Sequence, residues 1–373
     1  NEPVDYISGY NDPNPNSVVQ MKAWLYDLGW EPTTFKYDRN KETGDVRKIP
    51  QINLPHGAGV CDSIKLLYNK EPSLDLLDGL SVLTHRISIL NGFLASVDED
   101  GYVQAQIQGL TNTLRWKHKV CVNLPGVDKP YGEDIRGCLI APEGYVLVGS
   151  DMSSLEDRTK QHYMWDYDPE YVKEMTTDDF DPHLDLALAA GALTKEQVSR
   201  HKSGEEKQSV IRHTYKQANY SCVYGAGGVT VARAAGISER EGNALVEAYW
   251  KRNWSVKAIA EDQLVKVCRR QKWLYNPVSR LWYSLRAEKD RFSTLNQGTG
   301  VWCFDTWVKY QRQKGLPQVG QFHDETINLV KEKNKSKAED VLRWAIDQTN
   351  KELKLNRELD IDIQFGYNYA QIH

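Results

Sequence analysis

Apolar residues recur at helical spacing from Val18 to Leu28, between two polar, Pro-rich stretches at Asn11–Asn16 and Lys41–Pro55. That pattern predicts a small peripheral subdomain over residues 1–60. From Asp62 to Val97 the apolar positions, among them Leu66, Leu67, Leu74, Leu77, Leu83, Ile87 and Leu90, again fall at intervals of three and four, which predicts a pair of helices. Beyond Gly101 the alternation becomes strand-like. Gly144-Tyr-Val-Leu-Val-Gly-Ser150 is a short apolar run between glycines, as a buried strand requires, and Asp151 stands at its end. Ser153-x-x-Glu156 has the spacing of a capping box, so a helix is expected to start there. The chain then reads as mainly helical from Glu156 to Lys272, with Gly225, Gly227 and Gly228 closing one helix and Gly236-Ile-Ser238 opening another. Val319–Phe322 and Thr326–Val330 alternate like two strands, with His323-Asp324-Glu325 where a hairpin would turn. A long helical block therefore interrupts a sheet.

At 373 residues the chain is long enough for several subdomains around a cleft. A mean hydropathy of -0.61 and the lack of any apolar run of about 18 residues describe a soluble protein without a membrane span. The N-terminus, Asn1-Glu2-Pro3-Val4-Asp5, is polar, lacks Met and carries no signal peptide, so a trimmed fragment is expected. Six cysteines without a C-x-x-C pair indicate neither a zinc module nor a disulfide framework, and a reducing cytosol is the default expectation. The net charge of -4 gives no global sign of a polyanionic partner. Local basic patches exist at Lys117-His118-Lys119, at Lys251-Arg252 between Trp250 and Trp254, and at Arg269-Arg270-Gln271-Lys272-Trp273; each also reads as a solvated helix face.

Phosphoryl transfer from a nucleoside triphosphate uses two hard cations about 3.5 to 4 Å apart, so carboxylates from separate strands must converge. Asp151 and Asp324 each follow an apolar strand and are placed to do this, although either alone reads as a turn residue or a helix cap. The helix running from Arg212 shifts the balance. Arg212, Lys216, Tyr220 and Tyr224 are four apart and line one face: two cations for a polyphosphate, then two rings for a base or sugar.

Together, Asp151-x-Ser153-x-x-Glu156, Arg212-x-x-x-Lys216-x-x-x-Tyr220-x-x-x-Tyr224-Gly225 and His323-Asp324-Glu325 resemble motifs A, B and C of family A DNA polymerases, in that order. Further matches are Thr111-x-Thr113-x-Arg115, Asn123-Leu124-Pro125, Pro130-Tyr-Gly132-Glu133, Asp181-x-His183, Gln297 and Asn368-Tyr-Ala-x-x-His373; several are most similar to the phage replicative branch.

The resemblance implies an α+β right-hand polymerase fold: a partial helical thumb over 1–95, an antiparallel palm sheet over 96–160 and 300–373, and helical fingers over 161–299. It implies that Asp151, Asp324 and the Met152 carbonyl bind two magnesium ions, for which manganese can substitute, with Glu325 among the catalytic carboxylates. Arg212 and Lys216 would hold the triphosphate, with His183 near it and Tyr220 packed on the sugar and base. Glu156, held by Tyr220, would exclude a ribose 2′-hydroxyl. Tyr224 would stack on the template, while Arg115, Asn123, Gln297 and His323 would contact the primer terminus or the minor groove.

Three positions depart from the family pattern: Leu114 and Ser221 stand where glycines are expected, and Ser293 where many relatives have asparagine. The implied partners are primer-template DNA and deoxynucleoside triphosphates, together with an exonuclease-bearing N-terminal region or a separate proofreading or processivity protein. Proofreading is not expected in this chain, and Glu42–Ala58 is too short for a processivity insertion. The implied setting is bacterial cytoplasm in a phage-infected cell. Two other readings remain open: a single-subunit RNA polymerase, against which Glu156 argues, and a non-catalytic DNA-binding remnant.

Overall fold

The computed structural model describes residues 12–39, 43, 45–54 and 59–373, so much of the polar Lys41–Pro55 stretch and of the Glu42–Ala58 segment lies outside the described residues. The chain divides into two compact units: residues 1–104 with 124–135, and residues 105–123 with 136–373.

In the first unit, Ser17 caps the Val18–Asp27 helix by accepting from the Gln20 N–H, and Leu25 packs with Trp30, Val60, Ile64, Leu67 and Leu74 in a small core. The Trp30 indole N–H donates to Ser63 Oγ at 3.0 Å, which satisfies the polar edge of a buried ring. Strands Phe35–Arg39 and Val46–Pro50 pair as a hairpin that the Pro-rich composition did not reveal. The expected helical pair over Asp62–Val97 is instead one helix, Leu80–Leu94, preceded by the one-turn helix Asp62–Lys65 and a 3-10 turn at Pro72–Leu77. Pro72 opens that turn, and Gly79, at φ 77°, breaks the chain before the helix begins. Leu83, Ile87 and Leu90 keep the helical spacing but lie exposed.

A four-stranded antiparallel sheet organises the second unit. Its order is Ile361–Gly366, Tyr145–Met152, Glu325–Lys331 and Gln318–Phe322. Alternation along Tyr145–Met152 decides its two faces. Val146, Val148 and Met152 meet Cys303, Phe304, Trp307, Leu342, Ala345 and Ile346 from helices Arg291–Gln313 and Lys335–Leu353. Trp307 is fully buried there, and truncating such a ring to alanine costs about 3–5 kcal/mol. Asp151 belongs to the opposite face. On that face Gly149 leaves room for the C-terminal turn Tyr369–Ile372, since a Cβ on it would stand 2.9 Å from Ile372 Cβ.

Helices from Leu155 to Asp262 form the interrupting block. The glycine punctuation holds in part: Gly225 follows the end of the Ser209–Val223 helix, but Gly227 and Gly228 open the Gly228–Ala235 helix instead of closing one, Gly236 ends it in the left-handed region, and Ser238 with Glu241 forms a capping box for Glu239–Arg252. Two further expectations fail. The helical reading up to Lys272 is too long, because Val265–Cys268, Gln271–Asn276 and Leu281–Leu285 make a three-stranded antiparallel sheet whose inner residues Leu274 and Leu285 are buried. Ser153 does not cap a helix either. Its hydroxyl donates to Asp362 at 2.7 Å, and the Leu155–Met164 helix starts from Ser154 in a left-handed conformation without a side-chain cap.

Candidate functional site

Antiparallel register places Asp151 between Glu325 on one neighbouring strand and Asp362 on the other, so three carboxylates share one edge of one face. Asp324 joins them from the two-residue turn His323–Asp324, where His323 takes a φ of 53°, and its carbonyl accepts from the Met152 N–H at 3.0 Å. Two of the four acids are already engaged. Asp362 accepts from Ser153, and Glu325 is buried and held by Tyr369 Oη at 3.2 Å and His373 Nε2 at 3.0 Å.

Asp151 and Asp324 have no ion-pair partner among the described residues. Loss of surrounding water, together with Asp324, Glu325 and Asp362, pushes the Asp151 carboxyl up to about 7, even though part of the side chain still reaches solvent. Burial also raises Asp324, against the pull of Arg115. Such a pair favours an added cation. Among the described residues no three His, Cys, Asp or Glu side chains assemble into a metal cage. Two unpaired carboxylates are hard oxygen donors, the kind that a hard divalent cation such as Mg2+ takes. Met152 buries its side chain and leaves only its backbone for such an ion.

Beside the acids lies a connected polar group. Arg115 Nη2 stands 3.2 Å from Glu156 Oε1, and Tyr224 Oη donates to Glu156 Oε2 at 2.8 Å. Gln297 lies near enough to Tyr224 to oppose the rise of its phenol pKa. Burial and Glu156 raise the Tyr224 phenol to about 12, so it stays a donor. The sequence-based expectation that Tyr220 holds Glu156 is thus corrected. Tyr220 sits one turn earlier and its ring faces His183, with centroids 5.9 Å apart, whereas Tyr224 ends the helix within reach of the carboxylate. His323 lies close to Arg115 and to the ring of His118, 5.9 Å between centroids. Asn123 is exposed in a left-handed conformation.

The Ser209–Val223 helix buries Tyr215, Ala218 and Cys222 and leaves Lys216 and Tyr220 exposed, with Arg212 half-buried. The stripe from Arg212 to Tyr224 runs about 18 Å along the helix. Arg212 Nε pairs with Asp181 at 2.5 Å, and Asp181 also caps the Pro182–Ala189 helix through the His183 and Leu184 N–H groups. Against burial, which would raise it, Arg212 and those N–H groups hold the Asp181 carboxyl below its usual range. Burial lowers His183, opposed by Asp181 and Asp157 and assisted by Arg212 and Lys216. Asn219 fixes that ring at 3.2 Å from its Nδ1.

The site residues read from the sequence therefore fall into two neighbouring groups of the same unit, with Asn123 at the unit's edge. Sequence reading missed Asp362 as the second acid flanking Asp151; the alternation Asp360-Ile-Asp362-Ile-Gln364 is the signal that could have found it. Of the basic patches, Arg252 is occupied by Glu174 and Asp185 and by the ring of Tyr171, which makes it structural.

Leu114 occupies a left-handed position, φ 65°, inside the turn closed by the Arg115 N–H to Thr111 Oγ1 bond at 3.1 Å. A side chain there costs about 1–2 kcal/mol, part of which glycine returns as unfolded-chain entropy. Leu114→Gly is expected to raise the melting temperature by about 1–2 °C, and a fall of several degrees in calorimetry would contradict the strain.

This architecture is that of a polymerase right hand, α+β with an antiparallel palm sheet. A solved structure, the POL domain of Pol1 from M. smegmatis in complex with DNA primer-template and dNTP, superposes with a TM-score of 0.72 over 97% of this chain and 62% of that one, at 21% identity. The family model described as DNA polymerase family A matches residues 84–299, and the chain belongs to that family. Its relatives include DNA polymerase I of Lactococcus lactis subsp. cremoris, 23% identical over 67% of this chain and 28% of that protein. The thermostable DNA polymerase I of Thermus aquaticus is 27% identical over 66% and 29%, and the DNA polymerase of Escherichia phage T5 is 23% identical over 59% and 24%. The chain spans less than a third of the length of these relatives. No helix among the described residues is long and apolar enough to cross a membrane.

Proposed function

We propose that this chain carries out template-directed DNA synthesis, joining a deoxynucleotide to a primer 3′-hydroxyl with release of pyrophosphate. The observation that carries the reading is the meeting of Asp151 and Asp324 at one end of one sheet, linked through Arg115, Glu156 and Tyr224 to the helix that bears Arg212 and Lys216.

Asp151, Asp324 and the Met152 carbonyl hold two Mg2+ ions, or Mn2+ in their place, with Glu325 behind them. When bound, the ions lower the pKa of the primer hydroxyl and neutralise the departing phosphates. Arg212 and Lys216 grip the triphosphate, with His183 beside it, and Lys216 is placed to protonate the pyrophosphate. Tyr220 packs on the incoming sugar and base. Glu156, fixed by Tyr224 and Arg115 rather than by Tyr220, fills the space of a ribose 2′-hydroxyl. Tyr224, whose hydroxyl holds Glu156, presents its ring to the template strand at the insertion site, and Arg115, Asn123, Gln297 and His323 contact the primer terminus or the minor groove. In this reading residues 1–95 are a partial thumb, 96–160 and 300–373 the palm and 161–299 the fingers; one helix, Arg291–Gln313, runs across the 299/300 boundary.

Primer extension with deoxy- and ribonucleoside triphosphates tests the reading. Wild type should add deoxynucleotides almost exclusively, and Glu156→Ala should raise ribonucleotide addition by about ten- to a hundred-fold. No extension with either Mg2+ or Mn2+ would sink the proposal, and equal use of the two sugars by wild type would turn it towards RNA synthesis.

A further inference from the structure

Between Leu264 and Arg286, Lys and Arg occupy six positions and Asp and Glu none, in a chain whose net charge is -4. This segment is the sheet of Val265–Cys268, Gln271–Asn276 and Leu281–Leu285, and its two faces differ in kind. The inner face buries Leu274, Tyr283 and Leu285. Register puts Lys266 across from Trp273, Trp273 across from Ser284, and Tyr275 across from Trp282, all on the outer face. Tyr275 and Trp282 lie 5.2 Å apart by centroid, Lys266 Nζ sits 5.1 Å from the Trp282 ring, and Trp282 is 37% exposed. At the tip, Arg269 and Arg270 fill both central positions of the turn with φ of 48° and 65°, where glycine or asparagine is favoured, and both side chains are exposed. Lys272 is taken by Glu288; of the five cations that remain, Lys266 stands on the outer face and Arg269 and Arg270 at its tip, while Arg280 lies in the opposite turn and Arg286 beyond the last strand.

Cations that merely guard a sheet edge need neither arginines in a strained turn nor outward aromatic rings. Trp273 and Tyr275, two residues apart on one strand, are separated by about 7 Å, enough for each ring to receive its own base. Unpaired bases stack on such rings irrespective of sequence, while neighbouring cations follow the phosphates. Asn112 Nδ2 donates to the Ser284 carbonyl at 3.2 Å, which ties the edge of this sheet to the turn that carries Arg115.

We propose that the outer face of this sheet binds a single-stranded stretch of nucleic acid, the unpaired template strand, through Trp273, Tyr275 and Trp282 with Lys266, Arg269 and Arg270. The assignment of the strand as template rests on the polymerase reading, whereas the preference for unpaired over paired nucleic acid does not.

The test uses the full chain in EDTA, so that binding is read without synthesis. Fluorescence anisotropy compares a labelled single strand, a blunt duplex, and primer-templates with a long overhang or a single-nucleotide overhang. Arg269→Asn with Arg270→Gly installs the residues the turn favours, so the fold is retained, and thermal melting checks this. That double variant and, separately, Trp282→Ala should each bind the single strand and the long overhang about ten-fold more weakly and leave the blunt duplex unchanged. For the arginine pair the slope of log affinity against log salt should fall by about 1.4, about 0.7 for each lost phosphate contact. With Mg2+ restored, extension on the single-nucleotide overhang should match wild type in both variants. Wild-type affinity for the single strand in both variants, or an equal loss on the blunt duplex, would overturn the proposal. A wild type that binds the single strand through this face but extends no primer would instead remove the template role and the polymerase reading.

Discussion

Asp151→Ala and Asp324→Ala should each lower Mg2+-dependent primer extension by at least about a thousand-fold, because each removes one of the two side-chain carboxylates available to the ion pair. The loss should come without unfolding. Asp151 is crowded by Asp324, Glu325 and Asp362, and its carboxyl is pushed up to about 7, so in metal-free buffer an uncharged side chain there relieves repulsion. Asp151→Asn is therefore expected to melt at or above the wild-type temperature while remaining inactive. Divalent ions should raise the melting temperature of wild type and not of the variant, since only the charged pair gives them a differential affinity for the folded state. Extension within a few-fold of wild type in either alanine variant would remove the metal assignment. Glu325→Gln offers a graded control: Tyr369 and His373 already hold that carboxylate, so the change should disturb the site less than loss of either aspartate.

Lys216→Ala should produce the next largest loss, about a hundred-fold or more in kcat/KM for the incoming nucleotide. Lys216 is exposed and has no ion-pair partner among the described residues, so its whole charge is free for a polyphosphate. Arg212 differs: its guanidinium is already paired with Asp181, and that contact must be exchanged when a triphosphate arrives. Arg212→Ala is accordingly expected to act mainly on KM, and by less. Lys216→Arg should keep nucleotide affinity within about ten-fold but recover less of kcat, because a guanidinium cannot give up a proton at neutral pH. Single-turnover kinetics separates the two quantities, and equal effects of Lys216→Ala and Arg212→Ala on KM with kcat unchanged would contradict the proton-donor role.

The structure changes how three of these residues work together. The family resemblance implied that Tyr220 holds Glu156, yet four residues along a helix amount to one turn, about 6 Å, and it is Tyr224 that reaches the carboxylate. Spacing along a helix fixes which residues share a face and leaves open which of them meets a partner from another element. The capping box at Ser153 failed for a related reason. A hydroxyl next to a strand end can satisfy itself across the sheet, and the nearby Asp362, two strand positions from Asp360, offered the stronger acceptor.

What the sequence determined by itself was local and periodic. The apolar run before Asp151, the paired alternation around His323-Asp324, the glycines Gly225 and Gly236, and the four-residue stripe from Arg212 each carry their own geometry, so they could be read without knowing the neighbours. Tertiary structure decided everything that depends on which strand lies beside which. It set Glu325 and Asp362 on either side of Asp151, turned Leu83, Ile87 and Leu90 outward despite their helical spacing, and made a sheet of residues 265–285, where short mixed apolar runs fit helix and strand equally well. The physical reason is that strand order and burial are set by contacts between segments far apart in the chain, and no pattern within one segment encodes the identity of its partner.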